Sequence, residues 1–241
     1  MKQDTVGRWK SELLAASRPE KIAVLSSFFK TGKGQYGEGD VFVGITVPDN
    51  RRISEKYHTA SLSEITEMLT SKEHEFRLAA LLAMVKKYTK ARTEAEQAEI
   101  VKLYLVNTRH INNWDLVDLS APRIMGHYRL HHPQWQGLDK LSHSADLWER
   151  RIAIVSTQTL IRAHDFTLTK LFATRFLPHP EDLIHKATGW MLREMGKRDE
   201  RELLRFLDTY APQMPRTALR YAIERLSPQV RRHYMTPPRS T

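Results

Sequence analysis

This sequence contains no cysteine, no long hydrophobic run and very little of the alternating pattern that strands show. The absence of cysteine excludes disulfides and thiolate-bound metals, and it fits a reducing compartment, so we expect a cytoplasmic protein. The apolar run LAALLAMV (78–85) has eight residues, far fewer than the roughly 20 that span a bilayer. The first residues, MKQDTVGRWKSELL, lack the charged-then-apolar layout of a secretory signal. A membrane-spanning or disulfide-stabilised protein is therefore not expected.

Negative charge is also in short supply relative to positive charge. The chain carries 38 lysines and arginines against 28 aspartates and glutamates, which gives a formal net charge of +10 and an isoelectric point near 9.8. A protein of this charge attracts polyanions, nucleic acid first and anionic membrane second. A merely basic soluble protein is the alternative. The two differ in whether the positive residues share one surface.

Most of the chain has the hydrophobic period of helices. The strand-like run VFVGITV (41–47) is the one candidate for a strand. Many short helices with brief turns indicate an all-α protein, either a bundle or an α-solenoid. We expect a single domain over 1–235 and a disordered C-terminal tail over 236–241. The predicted helical segments are 4–17, 19–30, 73–90, 94–108, 113–130, 145–163, 165–177, 181–197, 199–210 and 215–226.

A loose internal repeat favours the solenoid. A basic residue followed two places later by a small one recurs at Arg77, Arg151 and Lys186, with gaps of 74 and then 35 residues. The segment NNWDLVDLS (112–120) falls in the missing register between the first two. A period of about 35–37 residues is typical of HEAT-like helix pairs. We therefore predict an α-solenoid of antiparallel helix pairs whose curvature gathers these residues, with Trp190, in a concave basic groove.

The glycine-rich segment TGKGQYGEGDVFVG (31–44) holds five of the ten glycines. Its GKGQYG (32–37) matches the dinucleotide-binding pattern G-x-G-x-x-G, but it follows a predicted helix instead of a strand, so we expect no dinucleotide site. A tight ordered loop with positive φ angles is one interpretation. A loop that offers backbone N–H groups or Lys33 to a phosphate is the other.

No cofactor or metal is expected. His127, His131 and His132 are close together on a predicted helix, but no further ligand with a known metal-site spacing accompanies them. Surface or capping roles are therefore the better interpretation of these histidines.

Trp114 and Asp118 stand four residues apart in NNWDLVDLS. In a helix this spacing places the ring and the carboxylate on one face, one turn apart. Asp115 is rotated by about a quarter turn from Trp114, so we do not include it in the candidate site. Spacing alone leaves open whether Trp114 is a core residue beside a solvated acid or part of a functional pair.

Four segments in order along the chain resemble the AlkD-like DNA alkylation repair glycosylases. They are KTGKGQYGEGDVFVGITVPDNRR (30–52), NNWDLVD (112–118), LWERRIAIV (147–155) and IHKATGWMLREMGK (184–197). The resemblance implies a HEAT-like α-solenoid and a monofunctional glycosylase that excises cationic N3- and N7-alkylated purines, such as 3-methyladenine and 7-methylguanine. It also implies double-stranded DNA as the partner, a nucleoid association during action, and catalysis that does not enclose a flipped base.

The resemblance assigns roles to individual residues. Trp114 and Asp118 match the active-site tryptophan and aspartate of the W-D-x-V-D block, and Trp190 matches the second aromatic. Arg151 matches an arginine expected to hold a phosphate near the lesion. Phe28 is a departure, because some family members have a tyrosine near this position and a phenyl ring lacks the hydroxyl.

Further basic residues are expected to contact the DNA backbone, although each could instead form a surface ion pair. A monomer suffices for such binding. Two other functions remain open, namely a non-catalytic HEAT-like module that binds DNA by charge and shape, and a protein-interaction solenoid with an apolar groove. The additional candidate DNA contacts are Lys33, Arg51, Arg52, Arg77, Lys186, Arg193 and Lys197.

Overall fold

The computed structural model describes residues 4–236, which are predominantly helical. The chain divides into two compact units, the first ending at Ser120 and the second beginning at Ala121. The all-α class predicted from the sequence is confirmed. The single domain over 1–235 stays a prediction. Of the tail expected over 236–241, all residues but Thr236 lie outside the described part of the chain.

Seven α-helices are described in the first unit, the last of them ending one residue beyond it. Five match predicted segments, and the two that the sequence missed are α3 and α4. Pro48 in the first turn and the Thr46 cap start α3, and a Ser61–Glu64 capping box starts α4. The helices are α1 Thr5–Leu14, α2 Ile22–Phe28, α3 Val47–Ser54, α4 Leu62–Leu69, α5 His74–Lys90, α6 Glu94–Val106 and α7 Trp114–Ala121.

Helix α5 is the centre of the first unit. All eight residues of its apolar run, 78–85, are buried, so the helix has no solvent face along this stretch. It packs against α3, α4 and α6. Because helices pack against α5 on several sides, the backbone of its first turn is held in a fixed position.

The strand predicted at 41–47 is wrong. Residues 42–46 are irregular, Val47 begins α3, and Val41 makes only an isolated bridge with Glu73. The buried carboxylate of Glu75 accepts the backbone N–H groups of Val43, Gly44 and Ile45, with the shortest of these bonds 2.9 Å long. These donors surround one carboxylate, as they do in a backbone nest, and are therefore not available to a neighbouring strand.

The second unit contains eight further α-helices among the residues described. The predicted run 113–130 is interrupted by a π-helical turn, Pro122–Gly126, and α9 and α15 were not predicted. The helices are α8 His127–His131, α9 Gly137–Ser142, α10 Leu147–Arg162, α11 Thr167–Arg175, α12 Asp182–Arg198, α13 Glu200–Tyr210, α14 Arg216–Ile223 and α15 Pro228–Met235.

Helix α12 packs against α10, α11, α13 and α14 in the second unit. Its Gly189 permits the close approach of α14, because a Cβ atom at this position would lie 2.3 Å from the carbonyl oxygen of Ala218 and 2.5 Å from the Cβ of Tyr221. Trp190 follows directly, so the glycine sets the packing of the helix turn that carries this tryptophan.

The recurring residues of the sequence repeat occupy similar places in their helices. Arg77 is the fourth residue of α5, Trp114 the first of α7, and Arg151 and Lys186 the fifth of α10 and α12. These positions fall within about one helical turn of each other, and the helix-pair repeat itself stays a prediction. Across residues 4–236, no helix is both long and apolar enough to cross a membrane.

Candidate active site

A buried group of charged side chains lies at the start of α5 and α7. His74 contacts Asp40 through Nδ1 and Asp115 through Nε2, each at 2.9 Å, and Arg77 donates to Asp40 at 2.5 Å. These four side chains are at most 5% exposed. Asn113 donates to the same Asp40 carboxylate at 3.2 Å. We call these five residues the Asp40 network.

Electrostatics in the Asp40 network favour a protonated His74. Burial lowers the pKa of the imidazole, but the carboxylate of Asp115 and then that of Asp40 raise it, to about 9. For the Asp40 carboxyl, burial has the opposite effect and raises the pKa. Hydrogen bonding to His74 and the charge of Arg77 outweigh burial and bring the pKa below its usual value. Both ring nitrogens of His74 therefore donate to carboxylate oxygens.

The Asp40 network holds the first turn of α7. The carbonyl oxygen of Asn113 accepts the N–H of Val117, and its side-chain oxygen accepts the N–H of Trp114. Asn113 and Asp115, the residues on either side of Trp114, thus both belong to the network. Asp115, which the sequence interpretation set aside, is buried and hydrogen-bonded to His74.

The Trp114 ring is half-buried in an aromatic cluster. It stacks on Phe29 with ring centroids 5.1 Å apart, and the edge of Phe28 meets it at 5.7 Å. Phe28 is 58% exposed, which leaves an aromatic surface open to solvent beside the indole. The indole Nε1 donates to the hydroxyl of Tyr36 at 3.3 Å. Although Phe28 lacks a hydroxyl, Tyr36 thus supplies one beside the same indole.

Asp118 lies one turn after Trp114 on α7 and is half-buried. Behind it, Tyr104 and Ser120 are fully buried and share a hydrogen bond of 2.9 Å. Burial raises the pKa of the Tyr104 hydroxyl, and the charge of Asp118 raises it further. Because Trp114 and Asp118 are both half-buried, the two residues share the part of α7 that solvent reaches, as their spacing predicts.

Trp190, the second aromatic expected in the site, is half-buried on α12 of the second unit. The tryptophans Trp9 and Trp148 are buried, as is typical of core residues. Trp9 stacks on Tyr57 at 4.8 Å.

Two of the expected DNA contacts are buried arginines. Arg77 is 4% exposed and donates to Asp40 and to backbone carbonyls of the turn before α5, so its guanidinium binds protein groups, which indicates a structural role. Arg151 is 5% exposed and donates to the carbonyl oxygen of Leu183 at 2.7 Å.

The other basic candidates lie at least partly at the surface, and most of them pair with a neighbouring carboxylate. Lys33 is exposed in the glycine-rich loop and has no ion pair among the residues described. Such surface pairs contribute little to stability, so a phosphate can replace the carboxylate. The pairs are Arg51–Glu55, Arg52–Asp49, Lys186–Asp182, Arg193–Glu224 and Lys197–Glu194.

The glycine-rich loop uses its backbone N–H groups internally. Gly32 donates to Gln35 and Gly34 to Glu38, in addition to Val43 and Gly44, which donate to Glu75. Positive φ angles at Gly34, Gly39 and Gly44 agree with the ordered-loop interpretation. The rings of His127 and His131 lie 4.4 Å apart, and among residues 4–236 no third metal-ligating side chain joins them.

The sequence interpretation missed Tyr36, Asp40 and His74. Tyr36 and Asp40 fall inside the glycine-rich segment that resembles the glycosylases, but they meet residues 78 and 34 positions away. Periodicity predicts neighbours on one helix and carries no signal for contacts between a loop and a distant helix.

Comparisons with known proteins bear on the family and the fold of the chain. The model of a family described as DNA alkylation repair enzyme matches residues 9–226. A solved structure described as a predicted DNA alkylation repair enzyme from Enterococcus faecalis superposes with a TM-score of 0.67 at 19% identity, covering 88% of this chain and 97% of that one. No curated protein matches the chain in sequence. The predicted all-α solenoid class and the family resemblance are confirmed.

Proposed function

Because this chain belongs to the DNA alkylation repair enzyme family, we propose that it is a monofunctional DNA glycosylase. It hydrolyses the N-glycosidic bond of cationic N3- and N7-alkylated purines in duplex DNA. The observation that carries the proposal is the pair of Trp114 and Asp118 on α7, an indole and a carboxylate one turn apart and both partly open to solvent.

The carboxylate suits this reaction because the substrate brings its own leaving group. An alkylated purine is already cationic, so it departs without protonation, and positive charge develops on the deoxyribose as the bond breaks. Asp118 stabilises that charge electrostatically. It also orients the attacking water or accepts its proton.

An indole contributes to the environment of the sugar. The electron-rich face of Trp114 attracts the cationic deoxyribose through a cation–π contact, about 0.5–2 kcal/mol. The family resemblance assigns Trp190 the same kind of contact. Because the substrate is recognised by its charge, the base need not enter an enclosed pocket. Neutral lesions, which lack this charge, are expected to be poor substrates.

Backbone contacts hold the duplex. The family resemblance assigns Arg151 a phosphate near the lesion, but its guanidinium is buried and donates to the carbonyl oxygen of Leu183, so the proposal rests on the surface cations Lys33, Arg51, Arg52, Lys186, Arg193 and Lys197. These contacts position the DNA and carry no base specificity. Arg77 is excluded because its guanidinium is buried against Asp40.

The test is the release of free base from a duplex containing 7-methylguanine, measured by chromatography with EDTA present. The proposal predicts release of 7-methylguanine by the wild-type protein and none of guanine from the unmodified duplex. Salt-dependent duplex binding without release would identify a non-catalytic DNA-binding module and would overturn the proposal.

A further inference from the structure

The glycine-rich loop reaches the proposed active site through Tyr36. Its hydroxyl accepts the indole Nε1–H of Trp114 at 3.3 Å and donates to the carbonyl oxygen of Phe28 at 3.5 Å. Phe28 is the last residue of α2, where helix carbonyls have no partner within the helix. One hydroxyl group therefore connects the end of α2 with the side chain of Trp114.

The backbone that carries Trp114 is fixed independently of Tyr36. Asn113 binds Asp40 and Asp115 binds His74, so the residues before and after Trp114 are both held by buried charged groups. The freedom that remains at Trp114 is rotation of its own side chain.

Stacking restricts this rotation only in part. Phe29 lies nearly parallel to the indole, at an angle of 20°, and so it fixes the plane of the ring. An indole turned over in the same plane would keep most of this contact, because stacking depends little on the direction of the N–H. The N–H is the one donor of the ring, and its hydrogen bond to Tyr36 distinguishes the two orientations.

We propose that Tyr36 is a positioning residue for the reaction, and that it acts by holding the Trp114 indole in one orientation beside the Asp118 carboxylate. This inference rests on the proposed glycosylase function and extends it to the glycine-rich loop. Tyr36 itself takes no part in bond breaking. Its effect is to keep the face of the indole where the cationic sugar forms, because small misplacements of such groups slow catalysis strongly.

The variant Tyr36→Phe tests the proposal because it removes a single oxygen from a half-buried side chain. We expect single-turnover release of 7-methylguanine to slow by about three- to tenfold, the effect of losing one hydrogen bond. The affinity for the duplex should stay within twofold of wild type. Tyr234→Phe is the matched control, since it removes a hydroxyl that bonds Asp208 in the second unit, and it should leave the release rate unchanged.

A second measurement reports the hydrogen bond without catalysis. In a ¹H–¹⁵N NMR spectrum, the indole signal of Trp114 is assigned by its loss in Trp114→Phe. In Tyr36→Phe this signal should shift and its hydrogen exchange should become faster, while the other indole signals keep their positions. The Tyr234→Phe spectrum should retain the wild-type Trp114 signal.

The outcomes separate this proposal from the proposed function. An unchanged Trp114 signal in Tyr36→Phe would overturn the hydrogen bond, and a shifted signal with a wild-type release rate would overturn the positioning role. A weakened duplex affinity with an unchanged rate would make Tyr36 a binding residue instead. If the wild type releases no base, the glycosylase function fails, whereas the NMR result on the hydrogen bond still stands.

Discussion

At the scale of single residues, the site depends on charges placed in unequal surroundings. Asp118 is half-buried, whereas Asp115, three residues earlier, is 4% exposed and hydrogen-bonded to His74. Two aspartates on one short helix thus have different surroundings. Asp118 is the residue proposed to act on the substrate, whereas Asp115 helps to hold the helix in place.

The protonation of His74 makes stability depend on pH. Asp115 and Asp40 raise its pKa to about 9 in the folded protein, against 6.5 for an unperturbed histidine. The contribution is therefore complete below about pH 6.5 and is lost as the pH rises through 9. It amounts to about 3 kcal/mol. Urea unfolding between pH 6 and 9.5 should show this loss in wild type.

His74→Gln provides the reference for that experiment because it removes the titrating group. Its free energy of unfolding should be lower at pH 6 and should vary much less across the same range. Parallel pH profiles for the two proteins would contradict a protonated histidine in the Asp40 network.

At the scale of structural elements, a glycine allows two helices of the second unit to pack closely. Gly189 and Gly196 both lie in α12, but a Cβ at Gly189 would meet the backbone oxygen of Ala218 at 2.3 Å, whereas at Gly196 the nearest atom is a side-chain methyl of Leu203. Leucine can rotate, but the α14 backbone moves only if the helix moves.

We therefore predict that Gly189→Ala destabilises the protein by about 1–3 kcal/mol through overpacking. Gly196→Ala should cost clearly less, since both substitutions gain the same helix propensity. Chemical unfolding of the two variants measures the difference. Equal stabilities would show that α14 does not approach α12 as closely as described.

The elements also show what a sequence reveals and what it does not. The α5 helix was predictable because its sequence pattern is local, although its apolar run 78–85 is buried on all sides. The run 41–47 reads as a strand because its apolar residues are β-branched or aromatic, but the carboxylate that shapes its backbone, Glu75, lies about 30 residues away. Trp114 and Asp118 were visible as a pair, whereas the Tyr36 partner of Trp114 was not.

At the scale of the whole molecule, a net charge of +10 remains even if every acidic side chain pairs with a basic one. A protein that neutralises DNA phosphates loses affinity as salt rises, with a logarithmic slope of about 0.9 per phosphate contact. Lys33 is the candidate contact for which the structure describes no ion pair, and it lies in the same loop as Tyr36.

Lys33→Gln should therefore reduce the salt slope of duplex binding by about one. Lys102→Gln is the matched control, because it removes the same charge from an exposed position on α6. Binding is measured by fluorescence anisotropy over a series of salt concentrations. Equal slopes in the two variants would remove Lys33 from the DNA contacts.

The central claim concerns the carboxylate of Asp118, and one comparison tests it most directly. Single-turnover release of 7-methylguanine is measured for wild type, Asp118→Asn and the control Glu99→Gln, which makes the same chemical change at an exposed position on α6. We predict that Asp118→Asn binds the duplex normally but releases base at least about a hundredfold more slowly than wild type, while Glu99→Gln releases it at the wild-type rate. Full activity in Asp118→Asn would contradict this prediction.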